Sequence, residues 1–159
     1  MPTLDVKVNG RDHRVEVEID STLLEVLRDK LRITGPKAGC NTGDCGVCSV
    51  LLDGILVRAC ITNALSVQGR EVITVEGLAK SGELHPLQKA FHEHYGSQCG
   101  FCTPGMLLAA KALLDENPTP TVEEVKEAIS GNLCRCTGYV KIVDSIVAAS
   151  REMAKREAG

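Results

Sequence analysis

The chemistry available to this sequence sits in eight cysteines, which fall into two sets of four: 40, 45, 48 and 60, then 99, 102, 134 and 136. The first set reads C-x4-C-x2-C-x11-C. It opens in the stretch GCNTGDCGVCSV, where three cysteines and three glycines crowd into the ten residues Gly39 to Cys48. Four chemistries compete for such a loop: a disulfide framework, a zinc knuckle, a redox-active thiol pair or an iron–sulfur cluster. The N-terminal stretch MPTLDVKVNGRDHRVEVEID carries charges throughout and no apolar signal-peptide core, so a cytoplasmic location is expected. Disulfides are rare there, and cysteine patterns more often mean metal or catalysis. Zinc sites favour paired short-spaced ligands and have no use for Gly39, Gly43 and Gly46. C-x4-C-x2-C closed by a distant Cys is instead the plant-type [2Fe–2S] spacing. Cluster sulfides accept hydrogen bonds, and glycine lets a loop turn its amides inward. Gly43 and Gly46 are therefore expected to present amides around a cluster held by Cys40, Cys45, Cys48 and Cys60.

The second set, CGFC followed by CRC after 31 intervening residues, is less specific. Cys99 and Cys102 have the spacing of a thioredoxin-like pair at a helix start, but that leaves Cys134 and Cys136 unexplained and lacks a βαβ context. Zinc with four cysteines stays open here. A second cluster is favoured, because its four ligands would lie at or just before two helix N-termini, whose dipoles help bear negative charge. Other polar residues have plainer readings. His92 and His94 stand at i,i+2 and do not share a helix face; His85 and His13 read as helix-start and strand surface positions. Met106, Leu107 and Leu108 read as core.

The elements that must position these thiols change in texture across the gap from Cys60 to Cys99. TLDVKVN and HRVEVEI alternate with period two around Asn9-Gly10, a hairpin signal. Asp53-Gly54 between Val50–Leu52 and Ile55–Val57 is a second, and EVITVE supplies one more strand. Ser21 is expected to cap a helix with Leu23, Leu24, Val26, Leu27 and Leu31 on its apolar face. After Gly77 the strand signals stop. Helices are expected over 85–95, with Leu87, Ala90, Phe91 and Tyr95 on one face; from Gly105 to Glu116, capped by Thr103 with Pro104 first; from a Thr121/Glu124 capping box to about Ser130; and from Val140 to about Arg156. The fold class is therefore α+β. Residues 1–76 form a small sheet domain, 77–84 a linker, and 85–159 a four-helix bundle. Each half is small enough to need a staple such as a metal centre.

Composition excludes other classes. Charged residues make up 25% of the chain and the net charge is −3. With no Trp, two Phe and two Tyr there is no basic, aromatic footprint, and nucleic acid is not an expected partner. No run approaches the ~18 apolar residues of a membrane helix, so membrane insertion is not expected.

Taken together, GCNTGDCGVCSV, QCGFCTPGM and GNLCRCTGY resemble the small iron–sulfur subunit of the molybdenum hydroxylases. That family comprises xanthine dehydrogenases, aldehyde oxidoreductases, CO dehydrogenases, nicotinate hydroxylases and 4-hydroxybenzoyl-CoA reductases. The resemblance runs through nearly the whole chain and all eight cysteines match. It implies a ferredoxin-like β-grasp domain followed by a four-helix bundle. Cys40, Cys45, Cys48 and Cys60 would bind one [2Fe–2S] cluster. Cys99, Cys102, Cys134 and Cys136 would bind another, buried in the bundle. Gln98 and Cys136 would contact the pterin of a molybdenum cofactor. It further implies electron transfer between a molybdenum–pterin centre in a large subunit and FAD in a medium subunit, within a heterotrimer or a dimer of heterotrimers. A free-standing two-cluster ferredoxin and a zinc-binding structural protein are the alternatives. With four thiolates on each cluster and no open metal position, the chain itself is not expected to activate substrate.

Overall fold

The computed structural model describes residues 1–159. Strands β1 (Thr3–Val8) and β2 (Arg11–Glu16) pair antiparallel. They turn through Asn9 at φ 51° and Gly10 at φ 81°, the left-handed pair that a two-residue hairpin demands. β3 (Ser49–Leu52) and β4 (Ile55–Arg58) repeat the device through Asp53 and Gly54. β5 (Glu71–Ile73) lies parallel to β1 and antiparallel to β3, giving one mixed sheet of order β2-β1-β5-β3-β4. Period-two alternation in β1 buries Leu4, Val6 and Val8. The fifth strand is shorter than EVITVE promises, because the chain leaves the sheet at Thr74 and coils into a 3₁₀ turn over Val75–Gly77.

Helix α1 (Leu23–Glu25) runs on as a π-helical turn over Val26–Lys30. Its cap is Thr22, not Ser21. Thr22 and Glu25 exchange bonds in a capping box, whereas the Ser21 hydroxyl accepts from the Glu18 amide at 3.2 Å. Leu23, Leu24, Val26 and Leu27 are buried as expected, and Leu31 packs at the core edge.

Four helices follow: α2 (Pro86–Glu93), α3 (Thr103–Glu116), α4 (Val122–Ala128) and α5 (Tyr139–Ala158). Met106 to Ala110 are buried on successive residues, which marks α3 as the central helix. It packs against β3, β4, α2, α4 and α5, so sheet and helices share one contiguous core. Three expected boundaries shift. Cys102 is the N-cap of α3, with Thr103 inside the helix. α4 stops at Ala128, with Ile129 as its C-cap. Tyr95 is 76% exposed, because α2 has already ended at His94 and Tyr95 turns through φ 58°. Gly96 behind it is needed for a close approach: a Cβ there would stand 2.7 Å from the Ser145 hydroxyl of α5.

His85 caps α2 through its ring, Nδ1 accepting from the Leu87 amide at 3.1 Å while Gln88 closes the box. Only the neutral imidazole can accept there, and burial first, then the charge of Lys111, holds its pKa below the usual histidine range. The unfolded chain therefore takes up the proton first, and stability falls as pH drops below about 6.5. His85→Asn keeps a capping acceptor without the titration. Its unfolding midpoint is expected to lose less between pH 7.5 and about 5.5 than wild type does, by up to the ~1 kcal/mol of a cap.

Candidate metal centres

No three Cys, His, Asp or Glu side chains sit at the spacing of a single-ion site. The thiols are instead gathered as linked pairs, all eight of them free. In the first set the loop between α1 and β3 wraps Cys40. The amides of Thr42, Asp44 and Cys45 donate to its sulfur at 3.3, 3.3 and 3.4 Å, and its own amide donates to Cys45 Sγ at 3.4 Å. The Thr42 side chain, followed by those amides, holds the Cys40 thiol down at about 5. Cys60 reaches the set from the short 3₁₀ turn Ala59–Ile61 after β4. Burial first, and then the neighbouring Cys48 thiol, push Cys60 up to about 11, while the Gly43 amide donates to it. Gly43 does this at φ +85°, with Ile61 folded over it so closely that a Cβ would stand 2.8 Å from Cδ1. Gly46, at φ +76°, has its carbonyl well bonded. That oxygen accepts from the Ser49 amide and hydroxyl and from Asn132.

The second set forms where α3 and α5 begin. Cys102 N-caps α3 and touches the thiol of Cys134; both are buried. Burial, followed by that neighbour, pushes Cys102 up to about 12. Cys134 is held by the Gly138 amide, which donates to its sulfur at 3.4 Å, and its own amide donates to the Tyr139 hydroxyl at 2.7 Å. Cys99 and Cys136 pair at the other side of the set, with the Phe101 amide lowering Cys99. Here the site opens: Cys99 is exposed, Phe101 is 48% exposed, and Gln98 lies beside them with Nε2 donating to the Cys136 carbonyl at 3.3 Å. The second set is thus buried on its Cys102–Cys134 side and accessible on its Cys99–Cys136 side.

Both sets fit a thiolate-ligated [2Fe–2S] cluster on their own chemistry: four sulfurs, inward amides, and buried thiols whose protons only a strong cationic centre would displace. The sets also touch one another. The Leu133 amide donates to the Cys45 carbonyl at 2.9 Å, so a ligand candidate of one set is one hydrogen bond and one peptide unit from Cys134 of the other. Thr42, Tyr139, Arg58 and Asn132 were not legible as site residues. Their signal was present only as neighbours of cysteines in the chain.

Known proteins carry the same two parts. The 2Fe-2S iron-sulfur cluster binding domain family matches residues 6–72, and the [2Fe-2S] binding domain family matches residues 74–147. The small subunit of nicotine 6-hydroxylase from Paenarthrobacter nicotinovorans is 50% identical over 153 residues, 96% of this chain and 92% of that one. This chain belongs to the small iron–sulfur subunits of the molybdenum hydroxylases. It has two [2Fe–2S]-binding parts and is, like its relatives, an iron–sulfur component of an oxidoreductase. Among solved structures, quinoline 2-oxidoreductase from Pseudomonas putida 86 aligns at a TM-score of 0.93 and 44% identity, over 98% of this chain and 96% of that chain. The aldehyde oxidoreductase from Desulfovibrio desulfuricans aligns at 0.94, but this chain spans only 17% of that longer one. The sheet and helices correspond to the ferredoxin-like and helical parts of these proteins, and no helix is long and apolar enough to cross a membrane.

Proposed function

We propose that this chain is the electron-transfer subunit of a molybdenum-containing hydroxylase or dehydrogenase. It would relay electrons between a molybdenum–pterin centre in a large subunit and FAD in a medium subunit, in a cytoplasmic heterotrimer or dimer of heterotrimers. Residues 1–76 are read as the ferredoxin-like β-grasp domain, 77–84 as a linker and 85–159 as a four-helix bundle. Cys40, Cys45, Cys48 and Cys60 would hold one cluster; Cys99, Cys102, Cys134 and Cys136 would hold the other. A bound [2Fe–2S] cluster supplies one-electron redox capacity. The chain's residues fix the thiolates, screen them with amides and keep the two sets in register. The observation that carries this reading is the direct join between them, Leu133 N–H to Cys45 O at 2.9 Å.

Metal and flavin content of the complex purified through this chain tests the reading. About four irons and one FAD per molybdenum is the expected result. Iron and sulfide without molybdenum would make the chain a free ferredoxin, and zinc in place of iron would end the relay argument.

The accessible Cys99–Cys136 edge is the side read as facing the pterin, with Gln98 as a contact. Gln98→Ala is expected to keep both clusters but lower turnover at saturating substrate about fivefold, the worth of one hydrogen bond of ~1 kcal/mol. Unchanged turnover would leave Gln98 as packing against Cys136 alone.

A further inference from the structure

Arg58, at the end of β4, is part-buried, and none of the chain's ion pairs includes it. Its guanidinium is spread instead between two neutral acceptors. Nη1 donates to the Ser49 hydroxyl at 2.7 Å and Nη2 to the Gly131 carbonyl at 2.9 Å. Ser49 is the residue after Cys48, and Gly131 lies three residues before Cys134, so the fork joins the two thiol loops. The Ser49 hydroxyl in turn donates a hydrogen bond to the Gly46 carbonyl at 2.6 Å, and Asn132 donates to the same oxygen at 3.0 Å. The guanidinium lies directly over Gly131, where a Cβ would stand 2.4 Å from Nη2 and would have to push the side chain aside. A cation taken partly out of water needs a counter-charge. No carboxylate provides it, and the anionic groups the surrounding loops are built to hold are the two thiolate-ligated clusters.

Resting on the two-cluster reading, we propose that Arg58 locks the two thiol loops together and is the fixed positive charge shared by both clusters. One-electron reduction makes a cluster more negative, so a cation held nearby favours the reduced form. The planar fork does what a single ammonium cannot, because it reaches both acceptors in a set geometry.

The test uses the full chain in its purified complex, after iron and labile sulfide have been assayed. A wild-type protein without clusters would sink the relay reading and leave the lock to be judged by exchange alone. Arg58→Gln is expected to make both reduction potentials more negative. It should also speed hydrogen exchange at the Leu133 amide at least about tenfold, a change of ~1.4 kcal/mol. Arg58→Lys is expected to bring the potentials back toward wild type while exchange stays fast, since the charge returns without the fork. Wild-type potentials in Arg58→Gln, or equal shifts in the Gln and Lys variants, would overturn the charge role. Unchanged Leu133 exchange would overturn the lock. Should Arg58→Gln fail to assemble, Gly131→Ala displaces the guanidinium from the opposite side. It is expected to reproduce both changes, and wild-type behaviour there would overturn the proposal.

Discussion

Cys134→Ser is expected to remove one of the two cluster signals from the EPR spectrum of the reduced protein and to cut bound iron by about half. Cys134 is buried at 8% exposure and touches Cys102, whose thiol is pushed up to about 12 when no metal is present. A serine hydroxyl there replaces a thiolate ligand with a poor one. The buried Cys102 then has no cation to justify losing its proton, so the set fails as a unit rather than by a quarter. The Cys40 loop is held by its own amides, with three of them donating to Cys40 Sγ, and is expected to keep its signal. The shared junction makes the surviving signal informative as well. A shifted but intact spectrum means the two loops communicate through Leu133 and Cys45. Equal loss of both signals would show that neither set assembles without the other.

The second large effect is expected from Gly46→Ala. At φ +76° any side chain is strained by about 1 kcal/mol. The added Cβ would also meet the Gly131 carbonyl oxygen at 2.4 Å, a backbone atom with little freedom to retreat. The two costs together predict a loss of about 2–4 kcal/mol. Thermal bleaching of the cluster absorbance should then fall by roughly 5–15 °C. Gly54→Ala supplies the control, because Gly54 has φ +84° but nothing within 4 Å of its would-be Cβ. It should show the strain alone. Equal losses in the two variants would mean that the Gly46–Gly131 contact contributes nothing.

Local chemistry made much of this protein legible from its residues. Asn9-Gly10 and Asp53-Gly54 announced the hairpins because few residue pairs tolerate two positive φ values in succession. Thr121 and Glu124 announced α4 because a capping box is satisfied within four residues. Ser21 was expected to cap α1, but its neighbour Thr22 takes that place because Glu25 closes a capping box with it. The apolar period placed Tyr95 on the α2 face, but the helix ended one residue earlier. Gly96 was required against α5, a contact 49 residues away in sequence that no local pattern encodes.

The cysteine sets divide in the same way. Ligand spacing is a property of the chain, so Cys40, Cys45 and Cys48 could be read as one loop around one centre, and the glycines among them as room for amides. The sequence alone determined that this chain carries two four-thiol sets on an α+β scaffold. Tertiary structure alone decided how the sets meet. Asn132 reaches the Gly46 carbonyl across 86 residues, and Arg58 reaches Gly131 across 73. Contacts at such separations follow from the shared core that seats α3 against β3 and β4. Once that packing is formed, the carbonyl of Gly46 lies within reach of the loop before Cys134, and Asn132 adds its bond to those that Ser49 already donates to that oxygen.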